Sequence, residues 1–209
     1  MKTTRWVWVA LFSLFLASCG GGGGSGLSNP PPDIGVVWTA RDIGRAWQSV
    51  SSSADGSKLV AAVRNGQIYT SIDSGVTWTA RDSARGWYSV SSSADGSKLV
   101  AAVYGGQLYT STDSGVTWTA RDAVRNWQSV SSSADGSKLV AAVYGGQLYT
   151  STDSGVTWTA HDAARDWYSV ASSADGSKLV AAVYGGQLYT STDFGAVWAA
   201  HESANFGCR

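Results

Sequence analysis

The chain has 209 residues, of which 44% are hydrophobic and 14% charged, and its formal net charge is zero. That length suits one domain with a sizeable core, and no stripe of Lys or Arg supplies the electrostatic footprint of a nucleic-acid binder, so nucleic acid is excluded as the expected partner. The outlier is tryptophan, eleven residues in all. Trp38, Trp47, Trp78, Trp87, Trp118, Trp127, Trp158, Trp167 and Trp198 recur in step, which marks Trp as the packing residue of a repeat.

In chain order, Lys2 and Arg5 precede an apolar run from Trp6 to Leu16. A charged start and a short hydrophobic stretch predict a secretory signal over 1–18. The run is shorter than the roughly 20 apolar residues a membrane helix needs. Leu16-Ala17-Ser18-Cys19 resembles the lipobox of bacterial lipoproteins. That resemblance implies cleavage before Cys19, its acylation and, because Gly20 rather than Asp follows, delivery to the outer membrane. The alternative is an ordinary cleaved signal with a chance Cys. Residues 19–32, glycine-rich and then carrying Pro30, Pro31 and Pro32, read as a tether, flexible first and stiffer after. From residue 20 on it reaches at most about 43 Å.

Residues 33–209 form the repeat domain. The segment from Gln107 to Trp118 returns unchanged from Gln147 to Trp158, and a fixed period of this size signals a repeat architecture. Its core pattern, S-x-D-x-G-x-T-W, is complete in three copies: Ser71, Asp73, Gly75 and Trp78; Ser111, Asp113, Gly115 and Trp118; Ser151, Asp153, Gly155 and Trp158. A worn copy keeps Asp193, Gly195 and Trp198 with Val197 in place of Thr, and Asp33 to Trp38 is a remnant. In the copy that starts at Trp87, four short strands are predicted: Trp87 to Ser92, Lys98 to Val103, Gln107 to Ser111 and Val116 to Ala120. Turns at Ala94-Asp95-Gly96, Gly105-Gly106 and Asp113-Ser114-Gly115 separate them, and no stretch after residue 30 has a helical period.

The second strand is apolar on both faces, through Leu99, Ala101 and Val103 on one and Val100 and Ala102 on the other, so it is an inner strand. The fourth is predicted to alternate, with Val116, Trp118 and Ala120 opposite Thr117 and Thr119, as an outer strand does. Ser89, Ser91 and Ser92 make the first strand small-sided, which suits crowding toward a common axis. The expectation is an all-β propeller of about four four-stranded blades. On these residues the chain resembles the BNR or Asp-box repeat, sialidase-like β-propellers over about residues 33 to 200. Within the Asp-box, Asp113 is placed to accept hydrogen bonds inside its own turn, Gly115 supplies a positive φ, and Trp118 lays its ring over the hairpin. The recurring Asp residues are therefore read as fold devices rather than metal ligands or catalytic acids.

Sialidases with this repeat use an arginine triad, a Tyr paired with Glu, and an acid/base Asp. The only Glu here is Glu202, after the last repeat, and no Arg-Ile-Pro is present. His161 and His201 share a repeat position with Arg41, Arg81 and Arg121, with no third ligand beside them. No catalytic set, metal or cofactor is expected. A non-enzymatic binding or assembly module follows, with a lectin-like propeller and a divergent glycoside hydrolase as alternatives.

The copies differ at the rim opposite the Asp-box, where Arg45, Arg85, Arg125 and Arg165 with Tyr104, Tyr144 and Tyr184 are candidates for lining repeated shallow sites for sugars or acidic glycans; the alternatives are drift on a loop and pairing of each Arg with the nearby Asp82-type residue, and the ligand, protein or glycan, stays open. Four units leave a closed small ring, an open arc and a ring completed by a second copy all open. Cys208 is the tail thiol that could form an intermolecular disulfide.

Overall fold

The computed structural model describes residues 39–201. The signal (1–18), Cys19, the tether (19–32), the Asp33 to Trp38 remnant, Glu202 and Cys208 lie outside the described residues. The blades all belong to one unit, Arg41–Arg209.

Ten strands follow one another, each antiparallel to the next: β1 (Trp47–Ser52), β2 (Leu59–Ser71), β3 (Thr79–Ser92), β4 (Leu99–Ser111), β5 (Thr119–Ser132), β6 (Leu139–Ser151), β7 (Thr159–Ser172), β8 (Leu179–Val183), β9 (Leu188–Ser191) and β10 (Ala199–His201). They make four blades, over 47–81, 87–121, 127–161 and 167–201. The long strands serve two purposes. The first half of β3, β5 or β7 closes one blade, and its second half, past a register shift, opens the next. β2, β4 and β6 carry the second and third blade strands through a reversal at Asn65, Gly105 and Gly145, where φ is positive. In blade 4 the same hairpin is split, with Leu179 of β8 opposite Ser191 of β9.

First strands are innermost because they neighbour one another across blades. The Ser49 hydroxyl oxygen accepts the Val90 N–H at 3.1 Å, Ser89 that of Val130 at 3.1 Å, and Ser129 that of Val170 at 3.2 Å. Serine thus does more than save space. Its oxygen satisfies strand N–H groups that no fifth strand reaches.

The fourth strand begins at Thr119, not at Val116 as expected. Residues 113–118 are held in the Asp-box turn, so Val116 faces solvent, and only Trp118 reaches the core. The alternation read into Val116 to Ala120 is set aside by side-chain bonds that outcompete the ladder.

The core is not inside the blades but between them. Val60, Ala62 and Ile68 of blade 1 pack on Trp87, Val90, Leu99 and Ala101 of blade 2, with Trp118 at the margin. The pattern repeats forty residues on, and again forty further, around Trp127 and Trp167. Four blades therefore give three cores. Among the described residues β1 pairs only with β2 and β10 only with β9, so the ring is open.

Candidate functional site: a tyrosine-lined axial mouth

The Asp-box is a closed hydrogen-bond set. Thr117 donates its N–H to Asp113 Oδ1 at 2.9 Å and its hydroxyl to Oδ2 at 2.6 Å, the Ser111 hydroxyl donates to Oδ1 at 2.8 Å, and Gly115 N–H donates to Ser111 Oγ at 2.9 Å. Gly115 has φ 84° and Ser114 φ 58°. Trp118 Nε1–H closes on the Gly115 carbonyl at 3.0 Å. The Thr117 hydroxyl first, and then its N–H, lowers the Asp113 carboxyl to about 2. Asp73 and Asp153 are held at about 2 in the same way. In the worn copy Val197 keeps the N–H bond to Asp193 at 3.0 Å and has no hydroxyl to give. Ser93 and Ser97 likewise tie down Asp95 in the first turn of its blade. These carboxylates are ionised and engaged in their own turns.

At the opposite rim the structure separates the two halves of the candidate set. Arg45, Arg85, Arg125 and Arg165 lie over rings of their own blades, with guanidinium carbons 4.5 to 4.8 Å from the centroids of Tyr69, Tyr109, Tyr149 and Tyr189. Each also pairs with an Asp three residues earlier, Asp42, Asp82, Asp122 or Asp162, at 3.4 to 3.7 Å. Each Tyr in turn meets the blade's first Trp edge-on, as Tyr109 meets Trp87 at 5.1 Å. The arginines therefore cap an Arg–Tyr–Trp stack. His161 takes the place of Arg81 and Arg121 by bonding the equivalent Thr, 2.8 Å from Thr150 Oγ1, and burial lowers its pKa.

The tyrosines do converge. Tyr104, Tyr144 and Tyr184 stand on the turns after the second strands and, with Tyr88, Gln128, Tyr168 and Arg64, line an open cavity of about 450 Å³ at the inner end of the blades. Tyr88 and Tyr104 pair at 5.4 Å, Tyr168 and Tyr184 at 5.8 Å, and Arg64 lies 5.7 Å over Tyr88. None of the four stack arginines lines it. Sequence reading missed Tyr88, Gln128 and Tyr168, although one signal was available: that repeat position alternates Gln48, Tyr88, Gln128, Tyr168 while its neighbours stay constant. Among the described residues no cluster of His, Cys, Asp or Glu is arranged to hold a metal.

Fold and site together define a repeat β-propeller with an aromatic axial mouth. No family model matches the chain, and no curated protein matches it significantly. Among solved structures it is similar to the GH74 enzyme of Niastella koreensis, at 29% identity and TM-score 0.58, over 73% of this chain and 24% of that one. It is also similar to YCF48 bound to D1 peptide, at 18% identity and TM-score 0.61, over 78% of this chain and 56% of that one. YCF48 from Cyanidioschyzon merolae matches at 15% identity and TM-score 0.63, over 79% of this chain and 59% of that one. The chain spans about a quarter of the GH74 enzyme and just over half of YCF48. Likeness at the YCF48 identities concerns the fold alone.

Proposed function

We propose that the protein is a non-enzymatic propeller module that binds an extended segment of a partner protein in its tyrosine-lined mouth. The carrying observation is the convergence of five Tyr with Arg64 and Gln128 on one open cavity. Tyrosine offers large, rigid contact area with a hydroxyl at its tip and loses little side-chain entropy on binding. Among the described residues no carboxylate lines that cavity, and Arg64, the guanidinium that does, favours a neutral or acidic segment. Because glycoside hydrolysis needs two carboxyls set a few ångströms apart across the scissile bond, the engagement of the blade carboxylates in their own turns supports a binding role. YCF48, a structure with peptide bound, shares the fold.

We place this module at the outer membrane of a bacterium, lipid-anchored with Cys19 acylated and 19–32 as its tether. The supporting observation is the order of basic residues, apolar run and small residues before that Cys. A glycan ligand is the second reading, favoured by exposed Tyr faces such as those of Tyr168 and Tyr184, on which sugar rings can stack.

The test is to probe a tiled peptide library of membrane-protein segments and a glycan array with the labelled protein. Binding on the peptide arm that weakens on the order of tenfold or more in Tyr104→Ala/Tyr144→Ala supports the reading. Glycan hits with the same tyrosine dependence would replace it with the lectin reading. Silence on both arms, or binding indifferent to the tyrosines, overturns the mouth as the site, and turnover of an aryl glycoside overturns the non-enzymatic role.

A further inference from the structure

The junctions between blades repeat one set of backbone, serine and threonine contacts, all with one polarity, and the second and third add a lysine bond. The Ala54 N–H donates to the Ala94 carbonyl, Ala94 to Ala134 and Ala134 to Ala174, all at 2.7 Å. Lys98 Nζ donates to the Asp135 carbonyl and Lys138 Nζ to that of Asp175, both at 3.0 Å. The Lys98 stem covers Gly136 and the Lys138 stem Gly176, while the methyls of Thr70, Thr110 and Thr150 sit against Gly115, Gly155 and Gly195.

At the two ends of the arc every one of these contacts is present by halves. Blade 4 offers the Ala174 N–H, the Ser169 hydroxyl oxygen, Lys178 and Thr190. Blade 1 offers the Ala54 carbonyl, the Val50 N–H, the Asp55 carbonyl and Gly75, and nothing lies within 4 Å of a Cβ placed on Gly56. The apolar halves match too. Val50 is 72% exposed where Val90 is 5%, Trp47 is 37% exposed where Trp87 is 0%, and Leu188 is 55% exposed where Leu108 is 0%. Between blades 2 and 3 the positions around Lys98, Leu99, Ser111 and Thr112 enclose only about 10 Å³ of free space. Around their blade 4 equivalents, Lys178, Leu179, Ser191 and Thr192, an open groove of about 530 Å³ remains.

We infer that these end faces are two halves of one head-to-tail interface, and that two copies of the chain join through it twice into a closed eight-bladed ring. The occupant is a second copy because what the groove lacks is a blade 1 surface, with Trp47, Val50 and Gly56 at the stated repeat positions, and that surface lies uncovered on the same molecule. The interface is continuous with three junctions already formed by the same residues. Its polarity makes it heterologous, and heterologous contacts close into rings when the rotation permits. The inference does not depend on what the tyrosine mouth binds.

Native mass spectrometry of the full chain under reducing conditions tests it, since the reductant removes any Cys208 disulfide. Twice the chain mass is expected. Val50→Asp and Leu188→Asp place a carboxylate on opposite ends, both at positions exposed in the single chain, so each variant should fold with unchanged circular dichroism and run at the single-chain mass. An equimolar mixture of the two retains one intact junction and should recover the doubled mass at high concentration, which a face-to-face contact could not do. A wild-type chain at single mass, a ladder of higher masses, or single variants that stay doubled overturns the ring.

Discussion

Trp127 and Trp47 occupy the same place in the repeat, yet the first is fully buried between two blades and the second is 37% exposed on the open face of blade 1. Replacing Trp127 by Ala removes a side chain that touches both halves of a core, which costs about 4 kcal/mol in transfer and cavity terms. It also removes the bond from its Nε1–H to the Ala123 carbonyl at 3.2 Å, and one of the rings beneath Arg125. A hydrogen bond of this kind adds about 1 kcal/mol. Trp47→Ala loses only the intra-blade half, its contacts with Tyr69 and Trp78 at 5.4 and 6.3 Å, for about 2 kcal/mol. Urea unfolding followed by tryptophan fluorescence reads the difference. With a slope of about 2 kcal/mol per molar urea, the midpoints should fall by about 2.5 M and about 1 M. The comparison belongs at nanomolar chain concentration, where mass action keeps the ends unoccupied. Equal shifts, or a loss at Trp127 no larger than that at Trp47, would refute the claim that stability resides between blades rather than within them.

The Asp-box carboxyls set the acid limit. Their folded pKa values, about 2 at Asp73, Asp113 and Asp153, lie below the ordinary 3.8, so their contribution is fully present above about pH 4 and is lost as pH falls through about 2. Melting temperatures should drop across that window, and Asp113→Ala should lower the melting temperature at neutral pH while leaving it near wild type below pH 2; a flat profile would contradict the turn's role. Gly136 and Gly56 make a second matched pair, with φ 67° and 72°. Both lose about 1 kcal/mol on substitution by Ala for the left-handed backbone, but a methyl at Gly136 meets Lys98 carbons at 2.8 Å and Gly56 has open space. Thermal melts should therefore show a further cost of about 1 kcal/mol or more at Gly136 alone in the single chain. Equal losses would mean that the junction yields freely.

Much of the architecture was legible in sequence because the repeat displays its own controls. Identical spacing of Trp, Gly and Asp across copies announced the unit, and a second strand apolar on both faces, as in Leu99 to Val103, announced an inner position. Local chemistry was legible as well, since Asp113 bonds to atoms within four residues of itself and needs no distant partner. What sequence misplaced was the start of the outer strand at Thr119, where short-range side-chain bonds override the alternation of Val116 to Ala120.

The rim divided along the same line. Arg85 and Tyr104 looked equivalent as exposed, polar-tipped residues beside a variable turn, and only tertiary packing separates them. Arg85 lies over Tyr109, a residue twenty-four positions away on the other side of its blade. Tyr104 meets Tyr88 because the first strand begins where the second ends, with Trp87 paired to Val103. The sequence by itself determined the blade: its length, its turns and the side chains that fasten it, all of which act over a few residues. Tertiary structure alone decided that the core lies between blades, that the tyrosines share one mouth while the arginines do not, and that the arc ends in two matching faces. Those outcomes depend on contacts forty residues apart, whose existence is set by the angle at which one blade stacks on the next.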